Sequence, residues 1–227
     1  MTALRVLAGV FTAVLILTGC GSSESDSKPS YQTEYIMFNA RNVSEDMQME
    51  ILHNGATDYN DSIKYTEQDS HKVSWFEEDS ITLKYSQDEN FDISYPETKI
   101  KGKKLMCAMG NATQTTPPIL VTGPESNDIP QGRAYVRVIN AMNDGIEKRI
   151  DVNEIVQSDY TVFASISDHF NINNPTAKSL VYVEYKGGTR FLFQEIDFAA
   201  NHAYYIIIYE DTRNPDEPGI EIIDMTP

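Results

Sequence analysis

Histidine and serine side chains are the first to test for catalytic or metal chemistry. The chain has four histidines: His53, His71, His169 and His202. None stands in an HxH or HExxH spacing or beside a pair of cysteines, so no zinc pattern is present. Segment 165–169 (SISDH) combines serine, aspartate and histidine, but neighbouring strand residues point to opposite faces and no G-x-S-x-G elbow occurs. We predict no catalytic residue, no metal site and a protein that is not an enzyme.

Acidic and amide side chains cluster in segments 58–61, 88–90 and 211–217. Calcium takes such oxygen ligands, and loops often supply them. No segment follows the D-x-[DN]-x-[DN]-G pattern, however, and Asp and Asn are also ordinary turn residues. We predict no bound cofactor, and calcium is the alternative left open.

Aromatic side chains are candidates for ligand contact, since the chain has 13 Tyr, 9 Phe and a single Trp. Tyr182 alternates with Val181 and Val183, which places it on the outer face of its strand. There it could stack on a sugar, contact a protein partner, or simply cover the sheet or a seam between domains. The binding residues stay unknown at this stage.

The two cysteines lie in different settings. Cys107 lies in an apolar segment, 105–109, where we expect a buried and inert thiol. Cys20 lies at the end of an N-terminal segment. This segment has one basic residue in its first five positions and then an uncharged apolar run over 6–17. That run is too short to span a membrane and is typical of an export signal.

The tetrad Leu17-Thr18-Gly19-Cys20 resembles the lipobox of bacterial lipoproteins. The resemblance implies cleavage after Gly19 and covalent lipid on the Cys20 sulfur, and two or three acyl chains hold a protein on a bilayer. An ordinary cleaved signal peptide and an uncleaved helical anchor are the alternatives. Gly21, rather than Asp, resembles the sorting pattern for an outer membrane. The expected location is extracytoplasmic and lipid-anchored, on the outer membrane if the organism is Gram-negative.

Charge limits the classes of partner. Removing residues 1–19 leaves 208 residues and takes away one basic side chain, so the formal net charge changes from −16 to −17. Such an acidic chain is a poor match for nucleic acid or for a second, electrostatic contact with anionic lipid.

Short runs of alternating apolar and polar residues predict antiparallel strands, for example at 47–51, 81–85, 91–95 and 181–185. Residues 21–30 contain no apolar residue and predict a flexible tether. Segment 111–132 has four prolines and predicts a linker, within which 119–121 could dock as an edge strand.

The two halves of the chain align with each other. At an offset of 101 residues, 35–40 (YIMFNA) aligns with 136–141 (VRVINA) and 49–51 with 150–152. At an offset of 100, apolar positions between 83 and 109 match those between 183 and 209. This indicates a tandem duplication in which each half should fold alone, and about seven strands per copy is typical of an immunoglobulin-like sandwich.

Residues 133–211, and more faintly 34–110, resemble the DUF4397 domain of secreted bacterial proteins. The resemblance rests on a first strand ending in Asn140-Ala141, on Ile150-Asp151-Val152, and on the hydrophobic strand 203–209. The Asp-Ala-Pro of the first loop and the V-D-G turn of that family are missing. The resemblance implies a fold and no catalytic residues.

The sequence therefore predicts an all-β protein: two tandem immunoglobulin-like antiparallel β-sandwich domains after a cleaved lipoprotein signal peptide. The expected parts are a signal peptide at 1–19, a lipidated tether at 20–30, a first sandwich at 31–112, a Pro-rich linker at 113–131 and a DUF4397-like sandwich at 132–227. We expect a non-catalytic binding or structural role in the cell envelope, with a protein or glycan as partner. The alternatives are a periplasmic assembly factor that uses an exposed strand edge, and a hydrolase that acts on envelope material.

Overall fold

The computed structural model describes residues 29–42, 46–88, 91–96, 101–111, 114–175, 178–213 and 217–227. The predicted signal peptide, the lipobox with Cys20 and most of the tether lie outside these residues. Within the described ranges, no helix has the length and apolar character that a membrane span requires.

Residues 31–122 form eight strands in two four-stranded sheets. Sheet A has the order β4-β1-β7-β8, and sheet B has the order β3-β2-β5-β6. The strands are β1 (Tyr31–Asn39), β2 (Met47–His53), β3 (Ala56–Ile63), β4 (Gln68–Trp75), β5 (Ile81–Asp88), β6 (Phe91–Pro96), β7 (Gly102–Asn111) and β8 (Gln114–Thr122).

Residues 133–224 form two further sheets after a short 3-10 turn at Ser126–Asp128. Sheet C has the order β12-β9-β16-β17, with β13 also paired to β9, and sheet D has the order β11-β10-β14-β15. The strands are β9 (Arg133–Asn140), β10 (Lys148–Val152), β11 (Val156–Gln157), β12 (Ser165–Ile166), β13 (Phe170–Asn173), β14 (Ser179–Tyr185), β15 (Arg190–Ile196), β16 (Ala203–Glu210) and β17 (Pro218–Asp224).

Sheets C and D repeat sheets A and B strand for strand, with β12 and β13 together in the place of β4. The strands that the 100–101 offset aligns hold equivalent positions. In each half the first strand runs parallel to a central later strand, β1 to β7 and β9 to β16, while the other ladders are antiparallel. The predicted all-β sandwich class is confirmed, and the parallel pairs are a feature that alternation alone does not predict.

The four sheets stack in the order B–A–C–D around three apolar cores. One core lies between sheets A and B, one between C and D, and the third between A and C. Strand β1 therefore contributes Tyr35 and Met37 to one core and Ile36 and Phe38 to the other. The same two-sided burial explains the continuously apolar run 204–209 in β16, because side chains on both faces of a central strand are covered.

The interface between sheets A and C, called the seam below, is apolar and also hydrogen-bonded. The Tyr205 hydroxyl donates to the carbonyl oxygen of Thr122 at 2.7 Å. Lys103 Nζ donates to the carbonyl oxygen of Asp224 at 2.8 Å. Both halves contribute side chains to the core in the seam, and the expectation that each half folds alone stays a prediction.

The linker predicted at 113–131 is wrong in its first part, because residues 114–122 form strand β8 on β7. Pro117 and Pro118 are tolerated there because β8 is the edge strand of sheet A and one side of its backbone needs no donor. The register shifts beside these prolines. Ile119 and Val121 pack against the seam, so the predicted edge strand at 119–121 is confirmed.

Segment 58–61, expected as a loop, instead lies inside β3. Its polarity on both faces reflects an exposed edge strand of sheet B. Two hairpin turns consist of residues with positive φ: Asn54-Gly55 joins β2 to β3 with φ of 51° and 80°, and Gly187-Gly188 joins β14 to β15 with φ of 123° and 104°.

Candidate functional site

Three of the four histidines pair with an aspartate from a neighbouring segment. The nitrogen–oxygen distances are 2.9 Å for His53–Asp79, 2.9 Å for His71–Asp58 and 3.2 Å for His202–Asp224. His169 instead stacks on the ring of Tyr135, with ring centroids 4.8 Å apart. Among the described residues, no three metal-ligating side chains come together.

The serines of segment 165–169 are engaged in backbone contacts. Ser167 Oγ accepts from the Val138 amide at 2.9 Å and donates to the Asp168 carbonyl at 2.7 Å. Ser165 Oγ donates to the Val162 carbonyl at 2.6 Å. With His169 stacked on an aromatic ring, these side chains do not meet as a catalytic triad.

The acidic segments hold carboxylates that pair within the fold. In β3, Asp58 meets His71, while the Tyr59 hydroxyl donates to Asp69 at 2.6 Å. Asp211 accepts from Arg213, which lowers the pKa of that carboxyl. Positions 89–90 and 214–216 lie outside the described residues. Calcium stays an untested alternative.

Cys107 is fully buried in the seam, as expected, and burial raises the pKa of its thiol far above the usual range.

The richest cluster of polar and aromatic side chains covers the outer face of sheet D. Alternation along β10 and β14 turns Ile150, Val152, Val181 and Val183 into the core and the intervening residues outward. The strand register then aligns the outward residues as cross-strand neighbours. We call the following set the D face: Arg149, Asp151, Tyr160, Tyr182, Glu184, Arg190 and Leu192.

One half of the D face is built around Glu184. Its two carboxylate oxygens accept from Arg149 Nη2 at 2.9 and 3.0 Å, and one of them accepts from the Tyr160 hydroxyl at 2.6 Å. The Arg149 guanidinium also lies over the Tyr160 ring, 4.7 Å from its centroid. The hydrogen bonds from Tyr160 and Arg149 lower the pKa of Glu184, so this group stays ionised at neutral pH.

The other half is built around Arg190. Its guanidinium bonds Asp151 at 3.1 Å and Glu154 at 3.3 Å, and lies 3.8 Å from the centroid of the Tyr182 ring. Asp151 is only 2% exposed and also accepts from Gln157 at 2.9 Å. Tyr182 is therefore on the outer face, as predicted, but its ring is covered by a cation.

Exposed apolar side chains border these two networks. Leu192, the cross-strand neighbour of Tyr182, is 59% exposed, and Ile155, next to Glu154, is 83% exposed. Arg and Tyr are among the residue types enriched at protein interfaces.

The equivalent face of sheet B differs in composition. At the positions of Arg149, Asp151, Tyr182 and Glu184, sheet B carries small or polar residues: Gln48, Glu50, Thr82 and Lys84. Glu50 accepts from Lys84 at 2.9 Å and from Thr57 at 2.7 Å. None of those four residues is aromatic or apolar.

Sequence reasoning found Tyr182 but missed its partners. The alternations Arg149-x-Asp151 and Tyr182-x-Glu184 were the available signal, because they place four interacting groups on one face. Sequence patterns do not place Arg190 and Tyr160 on this face, because their positions depend on the register of β15 and on the path of the chain after β11.

No protein-family model matches this chain, and no curated protein is similar to it in sequence.

Proposed function

We propose that this chain is a membrane-anchored extracytoplasmic lipoprotein with a non-catalytic role, which binds a protein of the cell envelope through the D face. Lipid on Cys20 would hold it on the membrane, after cleavage behind Leu17-Thr18-Gly19, and on the outer membrane if the organism is Gram-negative. The finer fold assignments, immunoglobulin-like and DUF4397-like, belong to this proposal.

The observation that carries the proposal is the difference between two equivalent faces. Sheets B and D occupy equivalent positions in the two halves, so the fold requires the same of both outer faces, namely side chains that can face solvent. At four equivalent positions sheet B carries the polar residues Gln48, Glu50, Thr82 and Lys84, whereas sheet D carries two Arg–Tyr stacks and an exposed leucine. Arg and Tyr are among the residues that contribute most of the binding energy at protein interfaces. Their presence on the D face therefore supports a role in binding.

A protein partner is favoured over a glycan. A sugar stacks on the open face of an aromatic ring, and here guanidinium groups lie over the rings of both Tyr160 and Tyr182. Leu192 and Ile155 offer instead the exposed apolar contacts that a protein surface would bury.

The assembly-factor alternative requires a free, uncharged strand edge. Charged residues and prolines, which discourage the addition of a strand, occur in the described edge strands β3, β4, β8, β15 and β17. These residues are Asp58 and Asp61 in β3, Asp69 and Lys72 in β4, Pro117 and Pro118 in β8, Arg190 and Glu195 in β15, and Pro218 and Glu221 in β17. In β15 a register shift between Val181 and Tyr182 of β14 adds a bulge.

Cross-linking in intact cells followed by affinity capture tests the proposal. We expect a specific protein to be captured with the wild-type chain and lost with Leu192→Asp, which places a charge at the exposed apolar residue of the D face. Ser94→Asp, at an exposed site on sheet B, is the matched control and should retain the partner. Equal capture by both variants would rule out the D face, and capture of glycan alone would rule out a protein partner.

Cell fractionation tests the anchor separately. Cys20→Ala should move the chain from the membrane fraction to the soluble fraction, because this is the proposed acylation site. Continued membrane association of Cys20→Ala would contradict lipidation.

A further inference from the structure

Three segments of the chain have the form Asn-x-Ser/Thr, in which x is not proline, and all three lie in the first half. They are 42–44 (NVS), 60–62 (NDS) and 111–113 (NAT). Segment 174–176 (NPT) of the second half has proline at x and does not qualify. Asn-x-Ser/Thr is the acceptor pattern for N-glycosylation of exported proteins, which takes place on surface asparagines.

Segment 60–62 is the one of the three that the structure describes in full, because Ser44 and Thr113 lie outside the described residues. Asn60 and Ser62 are both exposed in β3, an edge strand of sheet B. Residues two positions apart in a strand face the same side, and the register places these two opposite outward residues of β2. The amide and the hydroxyl of the pattern therefore project together from the outer face of sheet B.

The fold gives the Asn60 side chain no structural role. Asparagine is depleted in strands, and among the described residues the Asn60 amide group forms no hydrogen bond. Its cross-strand neighbour is Glu50. The Glu50 carboxylate instead accepts from Lys84 at 2.9 Å and from Thr57 at 2.7 Å. The Nδ2 atom of Asn60 thus faces solvent without a competing partner.

The surroundings of Asn60 suit a sugar. Asn60 borders an open depression of about 190 Å³ on the outer face of sheet B, and the lining includes Gln48, Glu50, Lys84 and Ser86. These side chains carry hydrogen-bond donors and acceptors that can contact the hydroxyl groups of a sugar. Because β3 pairs with β2 alone, its other side leaves room for a bulky group.

We propose that Asn60 is an N-glycosylation site whose donor is a glycan esterified to a diphosphate at its anomeric carbon. The Asn60 Nδ2 forms a bond to the anomeric carbon as the bond from that carbon to the diphosphate oxygen breaks. The diphosphate leaves with the electron pair, and the amide nitrogen loses one proton to a base of the glycosyltransferase. This inference rests on the proposed extracytoplasmic location, because the acceptor pattern is used on exported chains.

The site is compatible with binding through the D face. Sheets B and D are the outermost layers on opposite sides of the four-sheet stack, so a glycan on sheet B leaves the D face open. The glycan also shields β3, whose free backbone edge could otherwise pair with another chain.

Mass analysis of the full chain, purified from the cells that produce it, tests the proposal. A protease that cleaves after glutamate releases the peptide 51–67, which contains Asn60 and neither of the other two acceptor segments. We expect this peptide to carry the added mass of one glycan, and its fragment spectrum to place that mass on Asn60.

Substitutions of Ser62 separate the acceptor pattern from the asparagine itself. Ser62→Ala removes the hydroxyl and should abolish the added mass although Asn60 is still present. Ser62→Thr is the matched control, which keeps a hydroxyl and should retain the added mass. Asn60→Gln should be unmodified. Because both positions are exposed, the three variants should fold as the wild type does.

The outcomes that overturn the proposal are distinct from those that overturn the anchor. A wild-type chain in the membrane fraction whose peptide 51–67 has its unmodified mass would overturn the glycosylation and leave the anchor in place. An unmodified chain that stays in the cytoplasm would overturn both. An added mass that survives Ser62→Ala, or that lies on a Ser or Thr hydroxyl, would also contradict N-glycosylation at Asn60.

Discussion

At the scale of single residues, a buried asparagine closes the first strand of each half. Asn39 and Asn140 are fully buried, and each uses its amide to bind one backbone carbonyl and one backbone amide of the loops around it. This gives a physical reason for the Asn-Ala pair that the two aligned segments share. The side chain satisfies backbone groups at the point where the ladder ends.

Asn140→Ala should therefore destabilise the protein by about 2 kcal/mol, because it leaves the Met142 amide buried without a partner and removes one of the two hydrogen bonds to the Thr161 carbonyl, which also accepts from the Lys148 amide. Urea unfolding measures the change. Asn60→Ala, at an exposed site in β3, should change stability by less than about 0.5 kcal/mol. Equal effects of the two substitutions would show that the asparagine bonds contribute nothing.

Asp79 ties a turn together and should make stability depend on acid pH. It accepts from Asn54 Nδ2, from the Phe76 amide and from His53, all within 2.9 Å, and these bonds hold its pKa well below the usual value. A carboxylate whose pKa is lower in the folded state stabilises the fold above its unfolded pKa, about 3.9, and loses that contribution as the pH falls further.

Wild type should therefore be more stable than Asp79→Asn at pH 5, and the difference should shrink steadily below pH 4. Urea midpoints at pH 5, 4 and 3 measure it. A difference that is constant over this range would mean that the carboxylate charge is not what stabilises the turn.

At the scale of elements, alternation predicted the strands, because that signal is local. The hydrophobic strand expected at 203–209 corresponds to β16, whose side chains are covered on both faces. Segments 58–61 and 114–122 were misread because an exposed edge strand tolerates polar residues on both faces, and prolines on its free side. Arg149 and Arg190 escaped notice because their partners depend on register between strands.

Strand β17 contains a close contact that register explains. Gly219 pairs with Tyr209 of β16, and a Cβ on Gly219 would lie 2.4 Å from a ring carbon of Tyr209. That ring packs in the seam against Phe38, with centroids 5.6 Å apart. The absent side chain of Gly219 therefore allows an aromatic ring to lie across the ladder.

Gly219→Ala should cost about 1–3 kcal/mol, because the Tyr209 ring must leave its position. A double-mutant cycle checks the mechanism: in a Tyr209→Leu background, where the ring is gone, the same glycine substitution should cost much less. Additive effects would place the cause elsewhere than in this contact.

At the scale of the whole molecule, the seam is what sequence patterns could not assign. The apolar run in 35–38 indicates burial on both faces of β1. No local sequence signal, however, shows that the other half of the chain covers the second face. Among the described residues, 15 buried side chains from both halves lie in that core. Separating the halves would expose the apolar side chains of this core to water.

The seam should therefore couple the unfolding of the two halves, and the chain has a probe suited to show this. Trp75, the only tryptophan, lies in the core between sheets A and B, whereas Ile206 lies in the core between sheets C and D. Ile206→Ala should cost about 2–5 kcal/mol. If the halves unfold together, Trp75 fluorescence and far-UV circular dichroism will shift to the same lower urea midpoint.

The control is Ile51→Ala in the Trp75 core, which must shift both signals. A Trp75 transition that Ile206→Ala leaves unchanged would mean that the seam transmits no stability. The two halves would then behave as independent domains. The physical expectation is the opposite, because a central sheet whose two faces are both buried cannot lose one cover without destabilising the other.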